Sequence, residues 1–186
     1  MKTIHISKEA AYIQKAQNGD QAAFRYLVEQ YAPQVRRTVA GMLGEDIEAE
    51  DVAQEVFIRL HKALPKFRGE AKLGTFLHRI AINLSLTALD KKKRRNKWRI
   101  FNTNPSQTLA NIEDSTHAPE RKDMQEMIQT ALKTLEPEFR SVVVLRLVQG
   151  YSMKETAQML DIPEGTVASR LARAQKKLQI ILSPLV

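Results

Sequence analysis

Apolar positions recur at helical spacing through most of the chain. From Ser7 or Lys8 onward, Ala11, Tyr12, Ile13 and Ala16 mark the inward side of a first helix, which Asn18-Gly19-Asp20 stops. Asp20 is placed to cap a second helix carrying Phe24, Leu27, Val28 and Tyr31. Pro33 stands near the start of a further turn, where Val35, Val39, Met42 and Leu43 continue the pattern until Gly44. Over 45–64, Val52, Val56, Leu60 and Leu64 recur every four residues beside Ala49, Ala53 and Phe57, a strong amphipathic stripe that Pro65 ends. After a loop over 66–74, Thr75 is placed to cap a helix with Leu77, Ile80, Ala81, Leu84 and Ala88 inward.

That helix leads into a basic run, and the pattern then lapses. Residues 101–121 have no sustained period and are rich in Asn, Thr, Ser and Pro, the composition of a linker. Such a stretch is longer than ordinary connections within a domain, which predicts two domains. Met124, Ile128, Ala131, Leu132 and Leu135 restart the stripe, Pro137 breaks it, and a short apolar helix over 138–149 runs to Gly150. Ser152 and Glu155 have the spacing of a capping box. Ala157, Leu160 and Ile162 line the helix that follows. At 161–165 the pattern is interrupted: Pro163 disfavours helical geometry at Ile162, and Gly165 tolerates almost any backbone angle. Thr166 is placed to cap a last helix, with Val167, Leu171, Ala174 and Leu178 on one side and Ser169, Arg170, Arg173, Lys176 and Lys177 on the other. No alternation long enough for a sheet occurs. The expected fold is all-α: two small helical domains joined by a flexible linker, the second a helix-turn-helix domain. From 152–177 alone, a DNA-reading helix competes with a surface hairpin whose charged face is merely solvated.

Charge favours the first reading. The 186 residues carry a formal net charge of +8, so polyanions are the natural partners. No run approaches the roughly 20 apolar residues that cross a bilayer, and no secretory pattern opens the chain, so no membrane insertion is expected. There are no cysteines, which excludes disulfides, thiolate zinc sites and a Cys nucleophile and is compatible with the cytoplasm. His5, His61, His78 and His117 form no ligand pair. Neither a P-loop nor a GxSxG or GxGxxG motif is present. No metal, no cofactor and no catalytic residue are expected.

Four local features carry candidate chemistry. Glu45, Asp46, Glu48, Glu50, Asp51 and Glu55 cluster in a basic chain; helix-dipole stabilisation and a protein-docking surface explain them equally well. Phe67 stands among Lys66, Arg68 and Lys72, a combination that suits single-stranded nucleic acid, although residue type alone favours a ring folded into the core. Arg79 and Asn83 are i, i+4 neighbours on a polar face, and Asn inside a helix costs some propensity. Lys91–Arg99 holds seven cations in nine residues and suits phosphates. Trp98, the sole tryptophan, has no assignment to core or ligand.

Taken in order, these motifs resemble the bacterial RNA polymerase sigma factors, specifically the extracytoplasmic-function group of the sigma-70 family. The resemblance rests on Asn18-Gly19-Asp20 with Ala23-Phe24, on 50–57, on Phe67-Arg68-Gly69 with 75–83, on 135–140 and on 165–171, and so spans nearly the whole chain. It implies a polymerase-binding and −10-recognising domain over 1–98, a linker over 99–121 and a −35-reading domain over 122–186. Asp51, Gln54 and Glu55 would face the clamp helices of the largest polymerase subunit, with the flap as a further contact. Phe67, Arg68, Gly69, Ala71, Lys72, Phe76, Arg79, Asn83, Lys92 and Arg94 would bind and melt the −10 element. Thr166, Ser169, Arg170, Arg173 and Lys177 would contact the −35 duplex. The implied partners are core RNA polymerase, promoter DNA and an anti-sigma factor, which in many members is membrane-anchored. Two departures stand out: the family usually has Trp where Phe76 stands and often Tyr where His78 stands, and the basic run lacks the usual Asp-x-x-x-Arg arrangement. A dimeric helix-turn-helix repressor leaves the acidic helix and the aromatic loop unexplained. A nucleic-acid enzyme would need clustered acids or an activated nucleophile.

Overall fold

The computed structural model describes residues 8–102 and 123–183. Eight α-helices and no strand occur among them. In chain order these are α1 (Lys8–Gln17), α2 (Gln21–Leu43), α3 (Ile47–Ala63), α4 (Leu73–Asn102), α5 (Asp123–Thr134), α6 (Pro137–Val143), α7 (Met153–Leu160) and α8 (Glu164–Leu182). The expected linker lies outside the described residues except at its start, where 99–102 continue α4.

Local chemistry explains most boundaries. Asp20 caps α2 by accepting from the amides of Ala22 and Ala23, and Asp46 caps α3 by accepting from Ala49. Ser152 and Glu155 close the expected capping box, Ser152 Oγ accepting from the Glu155 amide at 3.2 Å and Glu155 Oε2 accepting from the Ser152 amide at 2.9 Å. Five expectations need correction. Pro33 lies inside one continuous α2 of 23 residues; packing of Leu27, Val35 and Val39 outweighs the backbone bond that proline cannot donate. α4 starts two residues before Thr75, with the Phe76 amide bonded to Lys72 O and Leu73 buried in the first turn. Pro163, not Thr166, caps α8, its carbonyl accepting from the Thr166 and Val167 amides. The left-handed residue of the turn is Asp161 at φ 55, so the freedom of Gly165 goes unused. The helix expected over 138–149 starts one residue earlier and ends in a π turn over Val144–Val148.

α1–α4 form a bundle around Leu27, Val35, Val39, Met42, Val56, Leu60, Leu77 and Ile82. The same cluster takes in Val144, Leu145 and Met159 from the second half. Smaller cores join α5, α6 and α8 through Leu132, Leu135, Val143 and Ala174, and α6, α7 and α8 through Val142, Ala157 and Val167. The two halves therefore pack directly on each other. Gly41 makes this approach possible: a Cβ there would stand 2.9 Å from Val144 Cγ2. Arg140 seals the joint. Its buried guanidinium donates to Met42 O at the end of α2, and to Lys133 O and Leu135 O at the end of α5. These are carbonyls that helix ends leave without intrahelical partners, where a cation is favoured. His78 of α4, 1% exposed, accepts or donates at Nδ1 with Thr38 Oγ1 at 2.7 Å and meets the Tyr151 ring edge-on at 5.3 Å. Burial holds its pKa down at about 4, so the ring is neutral.

Candidate nucleic-acid interface

The buried side of α4 is mostly apolar up to Leu89, with His78 and Ser85 as its buried polar residues; the opposite side carries Phe76, Arg79 and Asn83. Arg79 and Asn83 are exposed, and Phe76 is half-buried. The loop before α4 returns Phe67 to this face. Its ring lies 5.4 Å from that of Phe76, centroid to centroid, with the planes tilted 55°. Phe67 packs on the core with one side while the other lines an open hollow of about 540 Å³, shared with Ala63, Lys66, Arg68, Gly69, Glu70, Ala71, Phe76 and Arg79. The ring is thus folded into the core on one side only, and its other side stays open to the hollow. Gly69, at φ 71, turns the loop in a conformation that suits glycine. Gln17, at the end of α1, fixes the base of the loop by donating from Nε2 to Phe67 O at 2.7 Å and to Leu64 O at 3.1 Å. Two aromatic faces with cations at the rim can stack an unpaired base and hold its phosphates.

Beyond Leu89, α4 leaves the core and Asp90–Trp98 are all exposed. Arg94 falls within about 20° of Asn83 around the helix, on the same side as the hollow. Lys92 falls about 180° away and reaches Glu48 of α3 at 3.9 Å. Lys72 is exposed at the entry to α4.

The acidic cluster divides. Asp46 is a helix cap, Glu45 accepts from Gln125 Nε2 at 2.9 Å, Glu48 pairs with Lys92, and Glu50 lies 3.7 Å from Arg36. Asp51 and Gln54 are exposed, and half-buried Glu55 accepts from Arg59 Nε at 3.0 Å. On the same face sits Ile58, 48% exposed, beside a shallow groove lined by Phe24, Val28, Phe57 and His61. An acidic rim around an apolar residue suits a protein partner better than helix-dipole stabilisation does. Ile58 escaped the sequence reading, although an apolar residue off the Val52–Leu64 stripe was the available signal.

On α8, Ser169 and Arg173 are exposed, with Ser169 Oγ donating to Thr166 O. Arg170 donates to Glu138 at 2.8 Å, and Lys177 donates to both carboxylate oxygens of Glu136 at 2.7 and 2.8 Å. Hydrogen bonding by Lys177 lowers the Glu136 pKa. Glu136 and Glu138, at the start of α6, are thus neighbours of the basic side of α8 that sequence spacing did not connect to it.

Residues 27–95 match sigma-70 region 2, which runs from α2 into the basic part of α4; residues 125–178 match sigma-70 region 4, which covers α5–α8. The chain is 31% identical over 180 residues to the RNA polymerase sigma-H factor of Pseudomonas aeruginosa, covering 94% of this chain and 93% of that protein. The chain belongs to the sigma-70 family, in its extracytoplasmic-function group. Similarity to the extracytoplasmic-function sigma-E factor of Escherichia coli is 29% over 94% of both chains. In fold, it resembles CnrH, solved with the cytosolic domain of CnrY (TM-score 0.67, 22% identity, 94% of this chain and 96% of that one). It also resembles the sigma factor RpoE of Bartonella quintana, solved with the anti-sigma factor NepR (TM-score 0.68, 21% identity, 86% of this chain and 96% of that one). As a sigma factor, the chain binds core RNA polymerase and directs it to promoters to initiate transcription, melting the −10 element with its first domain and reading the −35 element with its second. Among the described residues, no helix is long and apolar enough to cross a membrane, and no group of His, Asp or Glu is arranged to hold a metal ion.

Proposed function

We propose that the working surfaces of this sigma factor are distributed as follows. Residues 1–98 act as the polymerase-binding and −10 domain, 99–121 as the linker, and 122–186 as the −35 domain. Asp51, Gln54, Glu55 and the exposed Ile58 beside them dock on the clamp helices of the largest polymerase subunit. Phe67 and Phe76 receive a base flipped from the melted −10 segment, with Arg68, Gly69, Ala71 and Lys72 shaping the loop and Arg79, Asn83 and Arg94 along the strand. Lys92 takes part only if it exchanges Glu48 for a phosphate. Thr166, Ser169, Arg170, Arg173 and Lys177 meet the −35 duplex. The chain performs no catalysis itself: the free energy for opening comes from capture of unpaired bases, which offsets an unstacking cost of a few kcal/mol. It works in the cytoplasm and is held in reserve by an anti-sigma factor, the kind of partner seen with the RpoE neighbour.

The packed arrangement of the two domains adds a requirement. The −10 and −35 elements lie about 25 base pairs apart, roughly 85 Å of duplex at 3.4 Å per step. A globule of this length is only about 40 Å across. Reading both elements at once therefore separates α4 from α7 and breaks the contacts of Arg140 with Met42 and of Tyr151 with His78.

The observation that carries this reading is the aromatic hollow of Phe67 and Phe76 on the exposed face of α4. Transcription in vitro with purified core polymerase tests it. The chain should give starts at selected promoters, and Arg170→Ala should lose −35 preference. An equal loss on all sequences would make Arg170 a phosphate contact, and no promoter-dependent start would remove the assignment altogether.

A further inference from the structure

The basic end of α4 is the largest feature that base capture leaves unused. Six cations stand in the eight residues from Lys91 to Trp98, all of them exposed. Lys91 and Arg95, and Lys93 and Lys97, are like-charged i, i+4 pairs, which destabilise a helix. Dipole stabilisation at a C-terminus acts only within the last turn, and Lys91–Arg95 lie further in. Trp98 is 68% exposed on this self-repelling helix, whereas Trp is ordinarily among the most buried side chains. At 100° per residue, Asn83, Arg94, Lys97 and Trp98 fall within about 60° of one line along α4. Trp98 is about 22 Å beyond Asn83 at 1.5 Å per residue, the length of six or seven base pairs. The C-terminal end of α4 leads through the linker to the −35-reading domain, so this end faces the upstream side of the melted segment.

We propose that Trp98 is a DNA-binding residue that lies against the duplex immediately upstream of the −10 element. Its indole covers sugars and base edges in the groove, while Arg94 and Lys97 hold the phosphates on either side. The inference rests on the assignment of the Phe67–Asn83 face to the −10 element. Charge complementarity selects DNA as the occupant, because a polyanion relieves the repulsion along Lys91–Lys97 and the apolar ring supplies a contact that cations alone lack.

The test uses holoenzyme assembled from the full chain and core polymerase. Two promoter fragments share a pre-melted −10 segment; one keeps ten base pairs of upstream duplex and the other ends at the bubble. Trp98→Ala should bind the longer fragment about tenfold more weakly and the shorter one as the wild type does, with Trp98→Phe in between. The slope of log affinity against log salt should stay unchanged for Trp98→Ala but fall by about one for Lys97→Ala. A benzoyl-phenylalanine photocrosslinker in place of Trp98 should attach to DNA within ten base pairs of the bubble. Equal affinities on both fragments, an equal loss on both, or crosslinking to a polymerase subunit instead of DNA would each overturn the proposal while leaving base capture intact. Wild-type holoenzyme without preference for the pre-melted promoter over unrelated DNA would overturn both.

Discussion

The two helices proposed to face DNA, α4 and α8, solve different problems. α4 and the loop before it set two aromatic rings and an exposed Asn on a face whose cations make no ion pair among the described residues, the paired Lys92 lying on the opposite side. α8 presents cations already engaged: Arg170 with Glu138 and Lys177 with Glu136. A helix that must trap single bases gains from rings, whose stacking energy is available only once a base has left its pair. A helix that meets intact duplex gains from pre-oriented charge, at the cost of partial self-neutralisation. The comparison predicts a −35 reader that holds DNA weakly by itself and a −10 face whose selectivity is tied to melting.

The largest expected effect lies on α4. Replacing Phe67 and Phe76 together by Ala removes both stacking surfaces, a loss of roughly 2–6 kcal/mol for two rings. Open-complex formation on a duplex promoter should fall at least thirtyfold, while −35 duplex binding holds. Permanganate footprinting of unpaired thymines measures the first and band shift the second. A parallel loss of both would erase the distinction between the helices. Gln17→Ala should reproduce a weaker form of the same defect, because it frees the loop base without touching either ring.

The next effect belongs to the side of α4 that DNA does not see. His78 is neutral beneath Tyr151, with a pKa near 4 in place of 6.5. Between those values the unfolded chain binds a proton that the folded chain does not, so stability rises with pH across this window. His78 thus imposes no penalty above about pH 6.5, and stability is lost progressively as pH falls towards 4. The full difference is on the order of 3 kcal/mol. Urea midpoints at pH 7 and pH 4.5 should separate more for the wild type than for His78→Phe; equal separations would mean that other groups carry the acid sensitivity. Among the described residues, no such buried histidine underlies α8, whose inner side is Val167, Leu171 and Ala174.

How far this was legible in the chain depends on the range of the interaction. The capping box at Ser152 and Glu155, the stripe ending at Leu64 and the cap Asp20 are local, so spacing alone finds them. Pro33 inside α2 and the displaced caps at Thr75 and Thr166 show local preference yielding to packing. The contacts between domains were silent: Arg140 lies 98 residues from Met42, and no local spacing connects the two. Among the sites, the faces of α3, α4 and α8 follow from helical spacing. The acids that occupy Arg170 and Lys177 do not, because Glu136 and Glu138 come from a different helix.

Gly41→Ala probes the packed state at a smaller scale. The new methyl would meet Val144 at 2.9 Å, while alanine improves the propensity of α2 by about 1 kcal/mol. Helical circular dichroism should hold or rise, and the radius of gyration from small-angle scattering should increase as the domains part. An unchanged radius would show that the joint absorbs the methyl and that Gly41 does not control closure.

The smallest effect returns to α8. An exposed ion pair contributes about 0.2–1 kcal/mol, so releasing Lys177 from Glu136 should change affinity by no more than about fivefold. The direction is informative. Glu136→Gln removes a carboxylate beside phosphates and leaves Lys177 to neutralise one of them, so −35 duplex binding should tighten and the salt slope should steepen by about one. If Glu136 instead orients Lys177 for DNA, the same change weakens binding at an unaltered slope. Titration of the holoenzyme on a −35 duplex at several salt concentrations distinguishes an α8 held back by its acids from one aimed by them.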